Sequence, residues 1–263
     1  MTFVPKLLAL DVDGTLVDWD NVMSPAVRAT VRAAAGTGLP VVIATGRSAP
    51  GVLNVTDMLG FEDGIAVASN GSVVFTYSPQ ARFEVLHEVT FDASEAVKLV
   101  LEHVPDAAVA VEELGVGYRI NKAFPDGEIN GEMILQDVDQ LVAEPVTRVI
   151  IRSPDSSAEE FAELARTIGL SGTNYFVGYT AWLDLAPEGV SKASGLDVVC
   201  ERLAVDPADV LAIGDGHNDV EMLRWAGRGV AMGQAPLNVQ EAADDTTETL
   251  AQDGVVRELS RYL

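Results

Sequence analysis

Asp11 and Asp13 stand two residues apart at the end of a short apolar run, Leu7 to Leu10, with Gly14 and Thr15 directly after them. Such a run fits a strand buried on both faces. Strand side chains repeat every two residues, so both carboxylates can start on one face. Gly14 then lets the chain turn away. Two carboxylates at the carboxyl end of a core strand lie where open α/β sheets bind ligands. Burying two like charges together is costly unless a cation or a reaction needs them. Asp-Gly also marks ordinary turns, so the pair alone leaves both readings open.

Three more constellations follow in chain order. Thr45-Gly46-Arg47 ends a second apolar run and offers a hydroxyl, a backbone open to a ligand, and a positive charge. A polar strand-to-helix turn explains the same three residues. Lys192 follows Ser191, which reads as a helix cap. A cation in a first helical turn opposes the helix dipole at a cost of about 0.3–1 kcal/mol. An adjacent anion would remove the anomaly, whereas a solvent-facing lysine needs no partner. Gly214-Asp215-Gly216-His217-Asn218-Asp219 follows the apolar run Val210–Ile213. Asp219 alone could be a favourable carboxylate in a first helical turn. Asp215, set between glycines after a buried strand, is harder to explain that way. A loop position is sufficient for His217.

Together these groups supply four carboxylates, one lysine, a hydroxyl and an amide. A carboxylate group of this kind calls for a hard cation, and oxygen ligands select magnesium over zinc. His87, His103 and His217 are scattered, and Cys200 is the one cysteine, so no zinc-type His/Cys set exists.

The elements that must position these groups alternate along the chain. Leu7–Val12 reads as a strand, and Ser24–Thr37 as a helix with Ser24 as its N-cap, Pro25 at its first position and Gly38 closing it. Leu39–Thr45 is a second strand, Pro50–Leu59 a helix, Gly64–Ala68 a third strand, and Asn70-Gly71 a turn into Ser72–Tyr77. This order implies a parallel sheet with right-handed crossovers. The pattern changes near Ser78-Pro79. Strands at Phe83–Val89 and Ala107–Ile120, with a turn at Gly115, flank a helix at Ala93–His103. Phe124–Gly131 is rich in turn formers. A strand at Thr147–Arg152, a helix at Ser157–Gly169 and a hairpin of Asn174–Tyr179 with Trp182–Ala186 complete an α+β insert. After Pro187-Glu188-Gly189 the alternation resumes, with helices at Ser191–Leu203, His217–Trp225 and Val255–Tyr262 and strands at Val210–Ile213 and Gly229–Met232. The expected division is one discontinuous domain, 1–79 with 187–263, around an insert at 80–186.

Hydrophobic residues make up 48% of the 263 positions, enough for a sizeable core. No apolar run approaches the roughly 18 residues of a membrane span, and no signal-peptide pattern opens the chain. A formal net charge of −23 argues against nucleic-acid and anionic-membrane partners. An anionic substrate then needs a local cationic site. Cytoplasmic residence is the default expectation, with Cys200 in a helix core rather than acting as a reactive thiol.

With its four motifs in hand, the sequence resembles the haloacid dehalogenase-like superfamily. The match rests on Asp11-Val12-Asp13-Gly14-Thr15, Thr45 with Gly46-Arg47, Lys192, and Gly214-Asp215 through Asn218-Asp219. The place of the insert, with Asn70-Gly71, Gly189-Val190-Ser191-Lys192 and Asp253-Gly254-Val255, is similar to the Cof-type sugar-phosphatase subfamily. Gly195 is a departure, since a better helix former is expected after Lys192. The resemblance implies a Rossmann-like three-layer α/β/α core with a parallel sheet and an inserted α+β cap of the C2 type. It implies Asp11 as nucleophile and Asp13 as general acid and base. It further implies magnesium on Asp11, Asp215 and the backbone oxygen of Asp13, with Asp219 a further ligand or an orienting group. Thr45, Gly46, Arg47, Lys192 and Asn218 would hold the substrate phosphate. Arg119, Asn121, Tyr179 and Trp182 are candidates to face the substrate, although a structural role explains them better, sheet packing for Trp182 and Tyr179 and a surface position for Arg119. The implied activity is a magnesium-dependent phosphatase acting on a small phosphorylated metabolite, sugar phosphates foremost, through an aspartyl phosphate. A phosphomutase and a non-catalytic metabolite-binding protein remain as alternatives.

Overall fold

The run Leu7-Leu8-Ala9-Leu10 is fully shielded from solvent and forms the strand β1 (Leu7–Leu10). Period-two alternation sends Leu7 and Ala9 to one face and Leu8 and Leu10 to the other. An unbroken apolar run is what a strand covered on both faces requires. In the computed structural model of the chain, residues 3–125, 127–153, 156–168, 173–177 and 182–263 are described.

From β1 the chain continues through α1 (Pro25–Gly36), β2 (Val41–Ala44), α2 (Ala49–Leu59), β3 (Gly64–Ala68), β4 (Val73–Tyr77) and β5 (Glu84–Glu88). Ser24 caps α1 by accepting from the Val27 amide, and Pro25 opens the helix, as the sequence predicts. Next come α3 (Ser94–His103), β6 (Ala108–Glu113), β7 (Gly117–Ile120), β8 (Glu132–Leu135), the short α4 (Val138–Leu141), β9 (Val149–Arg152), α5 (Ala158–Ile168), β10 (Thr173–Val177) and β11 (Trp182–Pro187). The last third supplies α6 (Lys192–Leu203), β12 (Val210–Gly214), α7 (Val220–Trp225), β13 (Arg228–Ala231), the short α8 (Leu237–Gln240), β14 (Asp245–Thr246) and α9 (Gly254–Leu259).

The chain divides into two compact units, one of residues 1–46, 52–87 and 191–263 and the other of residues 47–51 and 88–190. In the first, the sheet order is β14-β13-β12-β1-β2-β3-β4-β5. The pairs from β14 to β3 are parallel, and β4 runs antiparallel to β3. This is the Rossmann-like α/β architecture with a parallel sheet. One face of the sheet packs Leu7, Ala9, Val42 and Val67 against Leu196, Val199, Met222 and Leu223 of α6 and α7. The register pairs Leu10 with both Ile43 and Ile213. The carboxyl ends of β1, β2 and β12 therefore finish at one edge.

The second sheet has the order β10-β11-β9-β6-β7-β8, antiparallel except for the parallel pair β7 and β8. Val109, Val111, Val149, Ile151, Leu183 and Leu185 pack against α3 and α5 through Val97, Val100 and Phe161. Ala108, Ala110, Ile150 and Tyr118 form a separate cluster with Phe124.

Three differences from the sequence reading have physical causes. The strand expected at Phe83–Val89 forms as β5, but it extends the first sheet beyond β4 rather than joining the second. Its side chains are mostly exposed, so hydrophobic periodicity could not reveal its partner. The strand β8 and the helices α4 and α8 gave no periodic signal, because β8 is largely exposed and each helix is four residues long. Gly195 is required by packing: a Cβ there would lie 2.6 Å from Val67 Cγ1 and 3.0 Å from Gly71 Cα. The expected Gly169 and Tyr179 ends of α5 and β10 fall outside the described residues.

Candidate active site

Asp11 follows β1 directly, and its amide donates to the Ile213 carbonyl at 3.0 Å, which ties the ends of β1 and β12 together. The chain then turns tightly. The amides of Thr15, Leu16 and Val17 all donate to the Val12 carbonyl, and Gly14 N–H donates to Val17 O. Gly14 has φ +80°, and a Cβ there would lie 2.1 Å from Asp215 Oδ2. Only glycine permits both the left-handed backbone and that approach.

Lys192 opens α6. Ser191 and Ser194 exchange side-chain and backbone hydrogen bonds in a capping box at that end. The anion that the lysine's position called for is present twice. Lys192 Nζ is fully buried and donates to Asp11 Oδ1 and Asp219 Oδ1, each at 2.6 Å. Asp219 Oδ2 accepts from the Asp215 and Gly216 amides at 2.9 and 2.8 Å. That carboxylate therefore closes its own loop while orienting the ammonium. Asp11, Asp215 and Asp219 are all buried, and ligand oxygens from the three lie within 4.8 Å of one another.

Three carboxylates facing one ammonium leave two negative charges uncompensated when all are ionised. Burial, reinforced by the Asp219 charge, holds the Asp11 carboxyl well above the usual range, with Lys192 opposing. Burial and Asp219 likewise push Asp215 up to about 7. For Lys192, burial works against the charged form, but the Asp11 and Asp219 carboxylates outweigh it and the ammonium is raised above its ordinary value. A divalent cation balances the two excess charges. The all-oxygen donor set fits a hard ion, and the site's residues are therefore suited to hold one.

Thr45 and Asn218 join this site through Asn70. The Asn70 amide donates to the Thr45 carbonyl at 3.0 Å, and Asn70 Oδ1 accepts from Asn218 Nδ2 at 2.9 Å. Asn70 is buried, with φ 54°, and a Cβ on Gly46 would lie 3.1 Å from its Oδ1. Gly71 beside it approaches α6 so closely that a Cβ would lie 1.9 Å from the Ser191 carbonyl oxygen. Asp13 is half-buried, and its charge acts on both Asp11 and Asp215. The structure thus gathers Asp11, Asp13, Lys192, Asp215 and Asp219, with Thr45, Gly46 and Asn218 linked through Asn70.

Arg47 groups instead with the second unit. In that unit Arg119 pairs with Glu113 at 3.0 Å, Asn121 bonds the backbone of Val109 and Ala107, and Trp182 packs edge-on against Phe124. These contacts give the three residues structural work, and Tyr179 lies outside the described residues. His217 is exposed on its loop. Sequence reasoning used Asn70-Gly71 as a turn signal and a mark of the subfamily, gave Asn70 no place in the site, and overlooked Gln234. Gln234 Nε2 donates to Gly14 O at 2.6 Å and reaches Asp215 Oδ2 at 3.4 Å. The available signal was its position just beyond a strand end, in Gly233-Gln234-Ala235.

A family model for haloacid dehalogenase-like hydrolases matches residues 8–259. The chain belongs to the haloacid dehalogenase-like hydrolases. A phosphoglycolate phosphatase of Methanopyrus kandleri is 31% identical over 98% of this chain and 97% of its own length. A haloacid dehalogenase superfamily phosphatase of solved structure, from Bacteroides thetaiotaomicron, is 27% identical with a TM-score of 0.78, covering 98% of this chain and 95% of that one. This haloacid dehalogenase-like hydrolase is a phosphatase, and the Cof-type resemblance drawn from its motifs stands. The chloroplastic endoribonuclease YBEY of Arabidopsis thaliana also matches, at 30% identity over 96% of this chain but only 45% of that protein. The chain therefore spans less than half the length of that relative. Among the described residues no helix is long and apolar enough to cross a membrane.

Proposed function

We propose that this protein is a magnesium-dependent phosphatase that releases phosphate from small phosphorylated metabolites, sugar phosphates foremost, through an aspartyl phosphate on Asp11. The observation that carries the reading is the buried Lys192 ammonium, 2.6 Å from both Asp11 and Asp219, beside an Asp215 carboxylate. Support for a small phosphorylated substrate comes from full-length relatives named as phosphoglycolate phosphatases.

In this reading Asp11 attacks phosphorus and the bond to the leaving oxygen breaks, while Asp13 gives that oxygen a proton. Asp13, now a carboxylate, takes a proton from water, whose oxygen attacks the phosphoryl group and frees Asp11. The products are an alcohol and inorganic phosphate. Lys192, Thr45 and Asn218 hold phosphoryl oxygens and stabilise charge, with Gly46 giving close backbone approach. Asp11, Asp215 and the backbone oxygen of Asp13 would hold magnesium, which when bound neutralises charge on the phosphoryl group. Both oxygens of Asp219 are engaged by Lys192 and two amides, which favours an orienting role over direct ligation. The α+β unit corresponds to the family's cap. A small soluble substrate and the buried thiol of Cys200 suit a cytoplasmic setting.

The experiment is a phosphate-release assay over sugar phosphates and phosphoglycolate, on protein stripped by chelator and then given magnesium. Release should stop on chelation, return with magnesium, and be absent in Asp11→Ala. Turnover that survives chelation, or that persists in Asp11→Ala, rejects the mechanism. An isomeric sugar phosphate in place of free phosphate would make the protein a mutase.

A further inference from the structure

The side chain of Gln234 joins three stretches of chain that are far apart in sequence. Its Nε2 donates to the Gly14 carbonyl at 2.6 Å and reaches Asp215 Oδ2 at 3.4 Å, while its Oε1 accepts from the Leu250 amide at 2.9 Å. Gly14 immediately follows Asp13, so one amide touches the turn that carries the Asp13 carbonyl and also the Asp215 carboxylate. These are two of the three groups assigned above to the cation.

The turn that carries Gln234 does not need this side chain for its own backbone. Met232 N–H donates to Gly214 O at 2.9 Å, Ala235 N–H to Met232 O at 3.0 Å, and Gly233 N–H to Glu248 O at 3.1 Å. Gln240 Nε2 donates to Ala235 O at 2.8 Å. The loop is thus held by other groups, and the Gln234 amide is directed at the site. Asp215 needs such restraint. It sits between two glycines, with a carboxylate oxygen of Asp219 within 4.8 Å of one of its own. A donor at Oδ2 sets the orientation of that carboxylate.

We propose that Gln234 is a positioning residue for the cation site. It fixes the spacing between the Asp13-Gly14 turn and the Asp215 carboxylate, and it is itself anchored by the Leu250 amide. The proposal rests on the magnesium-dependent reading above. Hydrogen-bonding partners of metal ligands typically contribute about 10- to 100-fold to metal affinity.

Gln234→Met keeps the length of the side chain and removes both polar ends. Calorimetric titration of chelator-stripped protein with magnesium chloride should show its Kd weakened about tenfold or more. The magnesium concentration for half-maximal phosphate release should rise in parallel, with kcat at saturating magnesium falling less. The melting temperature in chelator serves as the structural control and should change little. Leu250→Pro provides a second route. It removes only the amide that anchors Gln234, at the first position of a 3-10 turn after an extended Thr249, where proline is tolerated. Its Kd should weaken by a smaller factor, about threefold. An unchanged magnesium Kd in Gln234→Met overturns the proposal. Should that variant not fold, an unchanged Kd in Leu250→Pro does so. If the wild-type protein takes up no magnesium, it is the magnesium reading that fails.

Discussion

Each of the two units buries charge, and the two do so differently. In the second unit, Arg148 lies against Asp184 as a fork on a fork, with Nε to Oδ1 at 2.8 Å and Nη2 to Oδ2 at 2.6 Å. Its Nη1 donates to the Tyr118 hydroxyl at 2.7 Å, and Glu112 nearby accepts from Thr147 at 3.0 Å. The guanidinium is gripped by Asp184 through both prongs of its fork, and Asp184, with the Tyr118 hydroxyl and the buried Glu112 charge, outweighs the penalty of burial, so the cation is held above its ordinary value. In the first unit, three buried carboxylates share one ammonium, and two of those acids are pushed upward. A buried guanidinium whose Nε, Nη1 and Nη2 all meet protein acceptors is held by the protein alone. A mismatched cluster is complete only with a further cation, and that imbalance distinguishes a site from a structural ion pair.

The comparison can be broken most sharply at Asp13. Asp13→Asn cannot donate or take the proton, so turnover should fall by roughly 10²- to 10⁴-fold with magnesium Kd little changed. Steady-state phosphate release and calorimetry read the two quantities separately. Loss of magnesium affinity instead of turnover would move Asp13 from chemistry to metal binding.

The next test sets one unit against the other. Asp184→Ala leaves a buried guanidinium without its partner and should cost about 3–5 kcal/mol in denaturant unfolding. Asp215→Asn removes one of the excess negative charges. In chelator it should leave stability unchanged or raise it, while abolishing magnesium uptake. Equal destabilisation by both substitutions would erase the distinction drawn here.

The smallest effect is a pH dependence. Asp215 has a pKa near 7 in the folded, metal-free protein, against an ordinary value of 3.8. Between those values the folded state holds a proton that the unfolded state releases. This contribution to stability is full below about 3.8 and is lost as pH rises through about 7. Asp11, raised for the same cause, acts in the same direction. The melting temperature in chelator should therefore decline from pH 5 to pH 8. Magnesium, which needs ionised carboxylates, should bind more tightly over the same range, so its stabilising shift should grow. A flat metal-free profile would show that the carboxylates are not under the stated strain.

Much of this was legible in the chain. β1 was visible because a strand covered on both faces must be uniformly apolar, and α1 because Ser24-Pro25 and Gly38 mark its ends. The position of Lys192 was legible as an electrostatic anomaly, a cation at a helix start, which an anion had to explain. Gly195 read as a poor helix former because its reason, the approach of α6 to Val67 and Gly71, is a contact between distant segments. Asn70 and Gln234 were hidden for a related reason. Asparagine before glycine is an ordinary turn, and one glutamine after a strand carries no period.

Residue type and order alone determined the long apolar and capped elements, the family and the set of ionisable groups available for chemistry, because these depend on local pattern and on side-chain identity. The tertiary structure decided which charges meet, in what ratio and how deeply. It brought Lys192 to Asp11 across 181 positions of sequence, and Gln234 to the Gly14 carbonyl across 220. Buried electrostatics depend on distance and desolvation, and both exist only once the chain has folded.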